Sequence, residues 1–199
     1  MPKIILIGGA GRTGKSTLAK QAAEQLHMPC ISTDHLRDKL KTEATQETHP
    51  HLFASDEQLN GEQLWQWQVK LAETIWPEVL AFIQQLQPEE SYIIEGTAIL
   101  PHLVARDLSD RACIVPVFVL QDDADVLWKV GEERSQFWAK PKNIEEQQQK
   151  VEQVLFLNQK IREETETYGY PYIQQKSPEE SLREFSALAA CSNLRESIS

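Results

Sequence analysis

Apolar positions along this 199-residue chain fall either in short unbroken runs or at the 3.6-residue spacing of a helix. Lys3–Ile7 is a short apolar run rich in β-branched residues and predicts a buried strand. Leu18, Ala19, Ala22, Ala23 and Leu26 then recur at helical spacing, so a helix is expected from about Lys15. Pro29–Ser32 predicts a second short strand, and a helix carrying Leu36 and Leu40 begins near Asp34. Glu43–Asn60 is polar, contains His49, Pro50 and His51, and reads as a loop or insertion. Leu64, Val69, Leu71, Ile75, Val79, Ile83 and Leu86 approximate one helical face, where Pro77 should kink the helix or start a second one. After a turn at Pro88–Ser91, Tyr92–Glu95 predicts a third strand. Cys113–Leu120 predicts a fourth, apolar on both faces and therefore near the sheet centre. Helices are expected over Asp125–Phe137 and Asn143–Thr167, the latter stopped by Gly169 and presenting Val151, Val154, Leu155, Asn158, Ile161 and Thr165 on one face. Tyr170–Gln174 predicts a last strand and Leu182–Leu194 a C-terminal helix.

Strands alternating with helices predict an α/β fold, a parallel sheet with helices on both faces. The length fits a single domain spanning 1–199. Composition narrows the function. Asp and Glu outnumber Lys and Arg 30 to 20, a net charge of −10 that repels phosphate backbones and anionic membrane surfaces. No nucleic acid and no membrane partner is therefore expected. Cys30, Cys113 and Cys191 are sparse and far apart, as in reduced cytosolic proteins. The N-terminal apolar run is too short for a signal core, so a soluble, cytoplasmic protein is expected. No His–Cys cluster has zinc spacing and no GxSxG elbow is present.

The chemistry concentrates first in Gly9–Ser16, which matches GxxxxGK[ST] between the first strand and the first helix. Glycines at 8, 9, 11 and 14 permit positive φ and leave room for a phosphate. Successive N–H groups and the helix N-terminus then converge on an anion. Lys15 can reach β- and γ-phosphates and the Ser16 hydroxyl can ligate Mg²⁺. The expected nucleotide-binding set is Gly9, Ala10, Gly11, Arg12, Thr13, Gly14, Lys15, Ser16 and Thr17, with Thr17 a first-turn residue rather than a ligand. In parallel sheets ligands bind beyond the carboxyl ends of the strands. Ser32-Thr33-Asp34 follows the second predicted strand and Glu95-Gly96 the third, so all three segments converge on one cleft.

Through Gly9–Thr17, Ser32–Lys41, Ile93–Gly96 and Pro101 the chain resembles the P-loop small-molecule kinases, which include nucleoside monophosphate kinases, shikimate kinase and zeta-toxin-like kinases. Within them it is similar to 2-phosphoglycerate kinase-like proteins. It departs from that subgroup at Lys41, where arginine is usual, at Ala98, where a histidine is usual, and in having one presumed lid arginine, Arg134. The resemblance implies a three-layer fold on a five-stranded parallel sheet, an acceptor-binding helical insertion at 35–87 and a lid at 125–145. It implies ATP and Mg²⁺ as cofactors. The γ-phosphate would pass to a hydroxyl or phosphate of a small, anionic acceptor: a 2-phosphoglycerate-like acid, a nucleoside or nucleotide, or a sugar.

It also implies roles. Asp34 would contact the acceptor hydroxyl or a Mg²⁺-bound water, although aspartate at this place also suits a helix N-cap. Glu95 would order Mg²⁺ through water or bind substrate, and Gly96 would let substrate approach the backbone. Which of the two acids is the base stays open. Arg37 could clamp an anionic acceptor or form a surface ion pair. Arg134, among Lys129, Lys140 and Lys142, would stabilise charge on the transferred group, and Arg162 could reach the same cleft. Trp65, Trp67 and Trp76, with His49 and His51, would be core or acceptor cover. A nucleotide-dependent switch acting through protein contacts, or a toxin-like nucleotide-sugar kinase, is the alternative. The protein is expected to be a monomer or homodimer.

Overall fold

A computed structural model describes residues 3–56, 58–87, 89–133 and 143–195. Five parallel strands form one sheet: β1 (Ile4–Gly8), β2 (Cys30–Ser32), β3 (Tyr92–Gly96), β4 (Ile114–Leu120) and β5 (Tyr172–Gln174), in the order β2-β3-β1-β4-β5. The helices are α1 (Lys15–Leu26), α2 (Thr33–Glu43), α3 (Pro50–Phe53), α4 (Gly61–Gln85), α5 (Pro101–Leu108), α6 (Ala124–Glu133), α7 (Ile144–Tyr168) and α8 (Pro178–Arg195). This is the α/β, three-layer P-loop architecture expected, with the strands as anticipated to within a residue or two.

The central strand explains the layering. Successive side chains of a strand face opposite ways. Along β1, Ile5 and Ile7 enter the core shared with α1 and α8, where Leu18, Ala22 and Phe185 lie. Ile4 and Leu6 enter the larger core with Trp76 and Val79 of α4, Leu103 of α5 and Ile161 of α7. Both faces are dry, so the strand reads as an unbroken apolar run. β4 lies one place from the centre, beside β1, and is nearly as buried.

Four features depart from expectation. α4 runs through Pro77 without ending or restarting. Proline removes the hydrogen bond to the carbonyl four residues earlier, that of Glu73. Both Pro77 and Glu73 are exposed, so water can serve that carbonyl. The polar stretch 43–60 contains the single turn α3, started by Pro50. α5 stands where only a connection was expected. Pro101 occupies its first turn, and Leu103, Val104 and Leu108 are buried. The C-terminal helix also begins earlier, at Pro178. At α7 the expected boundaries hold: Asn143 Oδ1 accepts from the Glu146 N–H at 2.8 Å, and Gly169 closes the helix at φ 68°. Among the described residues, no helix is long and apolar enough to cross a membrane.

Candidate active site

Strand register gathers the three chemistry-bearing segments. Gly8 of β1 pairs with Gly96 of β3, and Glu95 lies between Ile7 of β1 and Ser32 of β2. The carboxyl ends of these strands therefore stand side by side, followed by the phosphate loop, the Ser32–Asp34 turn and the Glu95–Gly96 exit.

The phosphate loop closes on itself. The Thr13 hydroxyl donates to the Ala10 carbonyl at 3.0 Å and is 1% exposed. Lys15 Nζ donates to the same carbonyl at 3.3 Å. Gly14, at φ 85°, is the N-cap of α1, and no side chain caps the helix. An uncapped helix start leaves its first N–H groups and its positive dipole end directed at the loop, the arrangement an anion requires. The Thr17 N–H is bonded to the Gly14 carbonyl at 3.0 Å, as suits a first-turn residue. Left-handed geometry falls on Arg12 at φ 63°, not on Gly11 or Gly8. Gly8 is required for space instead: a Cβ there would come within 2.5 Å of the Phe118 ring and the Ile99 carbonyl. Burial pushes the Arg12 guanidinium below its usual pKa.

The Ser16 hydroxyl donates to Glu95 Oε2 at 2.9 Å. Glu95 is only 7% exposed, so the loop and the end of β3 share one hydrogen bond inside the cleft. A hydroxyl and a carboxylate at this spacing are hard oxygen donors of the kind Mg²⁺ prefers, and the loop beside them suits a polyphosphate. The residues present therefore fit Mg²⁺-ATP. Gly96, at φ 153°, passes so close to buried Thr33 that a Cβ would overlap the Thr33 hydroxyl. That contact fixes the β2–α2 turn against the exit of β3.

The turn corrects one expectation. Ser32, not Asp34, caps α2, its Oγ accepting from the Asp34 N–H at 3.2 Å. The Asp34 carboxylate is left for other work, and Arg37 Nη1 lies 3.2 Å from it. Arg37 also meets Asp38 at 3.4 Å, so it is engaged by two acids of its own helix. Arg162 lies beyond the carboxyl ends of β4 and β5. It binds Asp122, donates to Gln174 Oε1 at 3.0 Å and stacks over the Tyr172 ring. Arg134, Lys140 and Lys142 lie outside the described residues; Lys129 is exposed on α6. Trp65 and Trp76 are core residues, Trp76 donating to Asp107 Oδ2 at 2.7 Å. Trp67 lines an open groove with His51. His49 Nδ1 is 2.9 Å from the neighbouring Thr48 hydroxyl.

One site residue escaped the sequence reading. Gln68 of α4 is 7% exposed and donates to the Thr97 carbonyl at 2.8 Å, tying the long helix to the segment after Gly96. An amide within the buried stripe of Leu64, Leu71 and Ile75 was the available signal.

Comparison with known proteins agrees with this geometry. No family model matches the chain. It is 24% identical to a 2-phosphoglycerate kinase of Methanococcus maripaludis (strain C7 / ATCC BAA-1331) over 197 residues, covering 90% of this chain and 62% of that protein. The chain thus spans less than two thirds of that relative's length. Its fold is shared with shikimate kinase from Acinetobacter baumannii in complex with shikimate, at TM-score 0.59 and 13% identity, covering 98% of this chain and 96% of the other. It is also shared with a gluconokinase from Sinorhizobium meliloti 1021, at TM-score 0.51 and 16% identity, covering 100% and 98%. The chain carries the fold of the P-loop small-molecule kinases, with their phosphate-loop signature at Gly9–Ser16.

Proposed function

We propose that this chain is a Mg²⁺-ATP-dependent phosphotransferase that phosphorylates a small, anionic, hydroxylated metabolite. The observation that carries the reading is the 2.9 Å bond from Ser16 to buried Glu95, which joins the phosphate loop to the acid ending the neighbouring strand. A loop that only held phosphate would need no such partner.

Bound Mg²⁺-ATP supplies the γ-phosphoryl group and a cation that neutralises its oxygens. Gly9–Thr17 hold the phosphates, with Lys15 exchanging the Ala10 carbonyl for them. Ser16 would be the direct metal ligand, with Glu95 and Asp34 acting on the metal through water. Asp34, oriented by Arg37, accepts the acceptor's hydroxyl proton. Gly96 holds the Thr33 turn against the exit of β3, and Arg134, outside the described residues, stabilises charge on the transferring group. Arg37 reaches the acceptor from its place beside Asp34, and Arg162 contacts it only after leaving Asp122.

A 2-phosphoglycerate-like acid is the first acceptor to test, because the relative from Methanococcus maripaludis bears that substrate in its name. Nucleosides, nucleotides and sugars follow. The test is ADP release from Mg²⁺-ATP with each acceptor present and absent. Strong stimulation by one acceptor, with a phosphorylated product in the mass spectrum, is the expected result. Slow hydrolysis that no acceptor stimulates would favour a nucleotide-dependent switch instead.

A further inference from the structure

We infer that Gln121 is a positioning residue for nucleotide binding, an assignment that rests on the reading above. Gln121 is the first residue beyond β4 and is 2% exposed. A polar side chain so buried must have its groups served by the protein. Its carbonyl and the two ends of its side-chain amide each reach a different part of the chain. Its backbone carbonyl accepts from Asn158 Nδ2 of α7 at 2.6 Å. Its Oε1 accepts from the Asp123 N–H, at the entrance of α6, at 2.9 Å. Its Nε2 donates to the Gln175 carbonyl, just past β5, at 3.3 Å.

Residue 175 is consequently held on both sides. Its N–H donates to the Leu120 carbonyl at 2.8 Å, while its own carbonyl takes the bond from Gln121. The Gln175 side chain then lies over Gly14 of the phosphate loop. A Cβ on Gly14 would fall 3.0 to 3.3 Å from all three terminal atoms of that amide. Gln175 Oε1 is buried with no hydrogen-bond partner among the described residues. The amide is therefore kept in place by its backbone and by packing rather than by bonds of its own. Gln121 decides where that backbone sits, and through it how firmly the left-handed Gly14 and the start of α1 are braced. Removing its bonds lets Gln175 withdraw and leaves a looser loop, which must be ordered at the expense of nucleotide affinity.

The experiment uses the full chain and Mg²⁺-ADP as probe, with isothermal titration calorimetry. Gln121→Met keeps the volume and adds no charge but removes both side-chain bonds. It should raise the dissociation constant about fivefold, the scale of one net hydrogen bond. Gln175→Ala should weaken binding by about as much, and the double variant no further, because both act through one contact. Unchanged affinity in Gln121→Met with a lowered melting temperature would make Gln121 merely structural and overturn the inference. Additive losses in the double variant would overturn it as well. If Gln121→Met does not fold, Gln175→Ala decides alone: full affinity there removes the link to Gly14. A native chain that binds no Mg²⁺-ADP would sink the functional reading itself, whereas native binding with unaffected variants sinks only the role of Gln121.

Discussion

Lys15 occupies the first position of α1, 8% exposed, with its ammonium folded onto the Ala10 carbonyl. On the proposed function its charge serves the nucleotide rather than the core, so Lys15→Ala should keep its circular dichroism spectrum and lose at least about 100-fold in phosphoryl transfer, as when one charge-stabilising donor is removed. Glu95 can be read through a neighbour. The Cys30 thiol, on an exposed residue whose sulfur is partly desolvated, is pushed up to about 11, first by that desolvation and then by the Glu95 carboxylate, with Lys20 opposing. Glu95→Gln removes the carboxylate's share, so the thiol pKa should fall. At a fixed pH below it, alkylation of the Cys30 peptide, followed by mass spectrometry, should then run faster than in the native chain. An unchanged rate would mean that Glu95 is not what raises the thiol. Gly96→Ala adds a methyl where Thr33 already stands, at a φ that alanine disfavours. Overpacking and backbone strain together should cost about 3 kcal/mol in urea unfolding.

At the scale of elements, α4 shows how local chemistry yields to packing. Pro77 costs an interior helix position about 3 kcal/mol relative to alanine, and alanine returns about 1 kcal/mol of unfolded-state freedom. Because Pro77 is exposed and outside the buried stripe, Pro77→Ala should stabilise the chain by about 2 kcal/mol, measured by denaturant midpoint. Periodicity made β1, β3, α1 and α7 legible because each buries a continuous face or stripe. It failed at α5, where eight residues give barely two turns of period and Pro101 was the better clue. The site divides in the same way. The phosphate loop and the two strand-end acids were legible because their chemistry is written in consecutive residues. The cap at Ser32, the engagement of Arg37 by Asp34 and Asp38, and the anchoring of Thr97 by Gln68 depend on which neighbour a side chain meets. Ser32 and Asp34 are both good capping residues, and only the turn's geometry chooses between them.

At the scale of the whole molecule, the proposed function requires an acidic chain of net charge −10 to attract a polyanion. Long-range attraction is absent, so the affinity must come from short-range order: an uncapped α1, the Gly14 turn and Lys15, with a metal ion offsetting the carboxylates that face them. This makes metal dependence strong. Glu95 stands against Ser16, and a nucleotide arriving without Mg²⁺ meets that carboxylate unscreened. A ligand at 100 times its dissociation constant stabilises the native state by about 2.7 kcal/mol. For a chain of this size each kcal/mol raises the melting temperature by about 2–4 °C. Mg²⁺-ADP at that excess should therefore raise it by about 5–11 °C, and EDTA should abolish most of the shift while nucleotide remains present. A shift that survives EDTA in full would mean that the phosphates are held without a metal, and that the Ser16–Glu95 pair serves the fold rather than the chemistry.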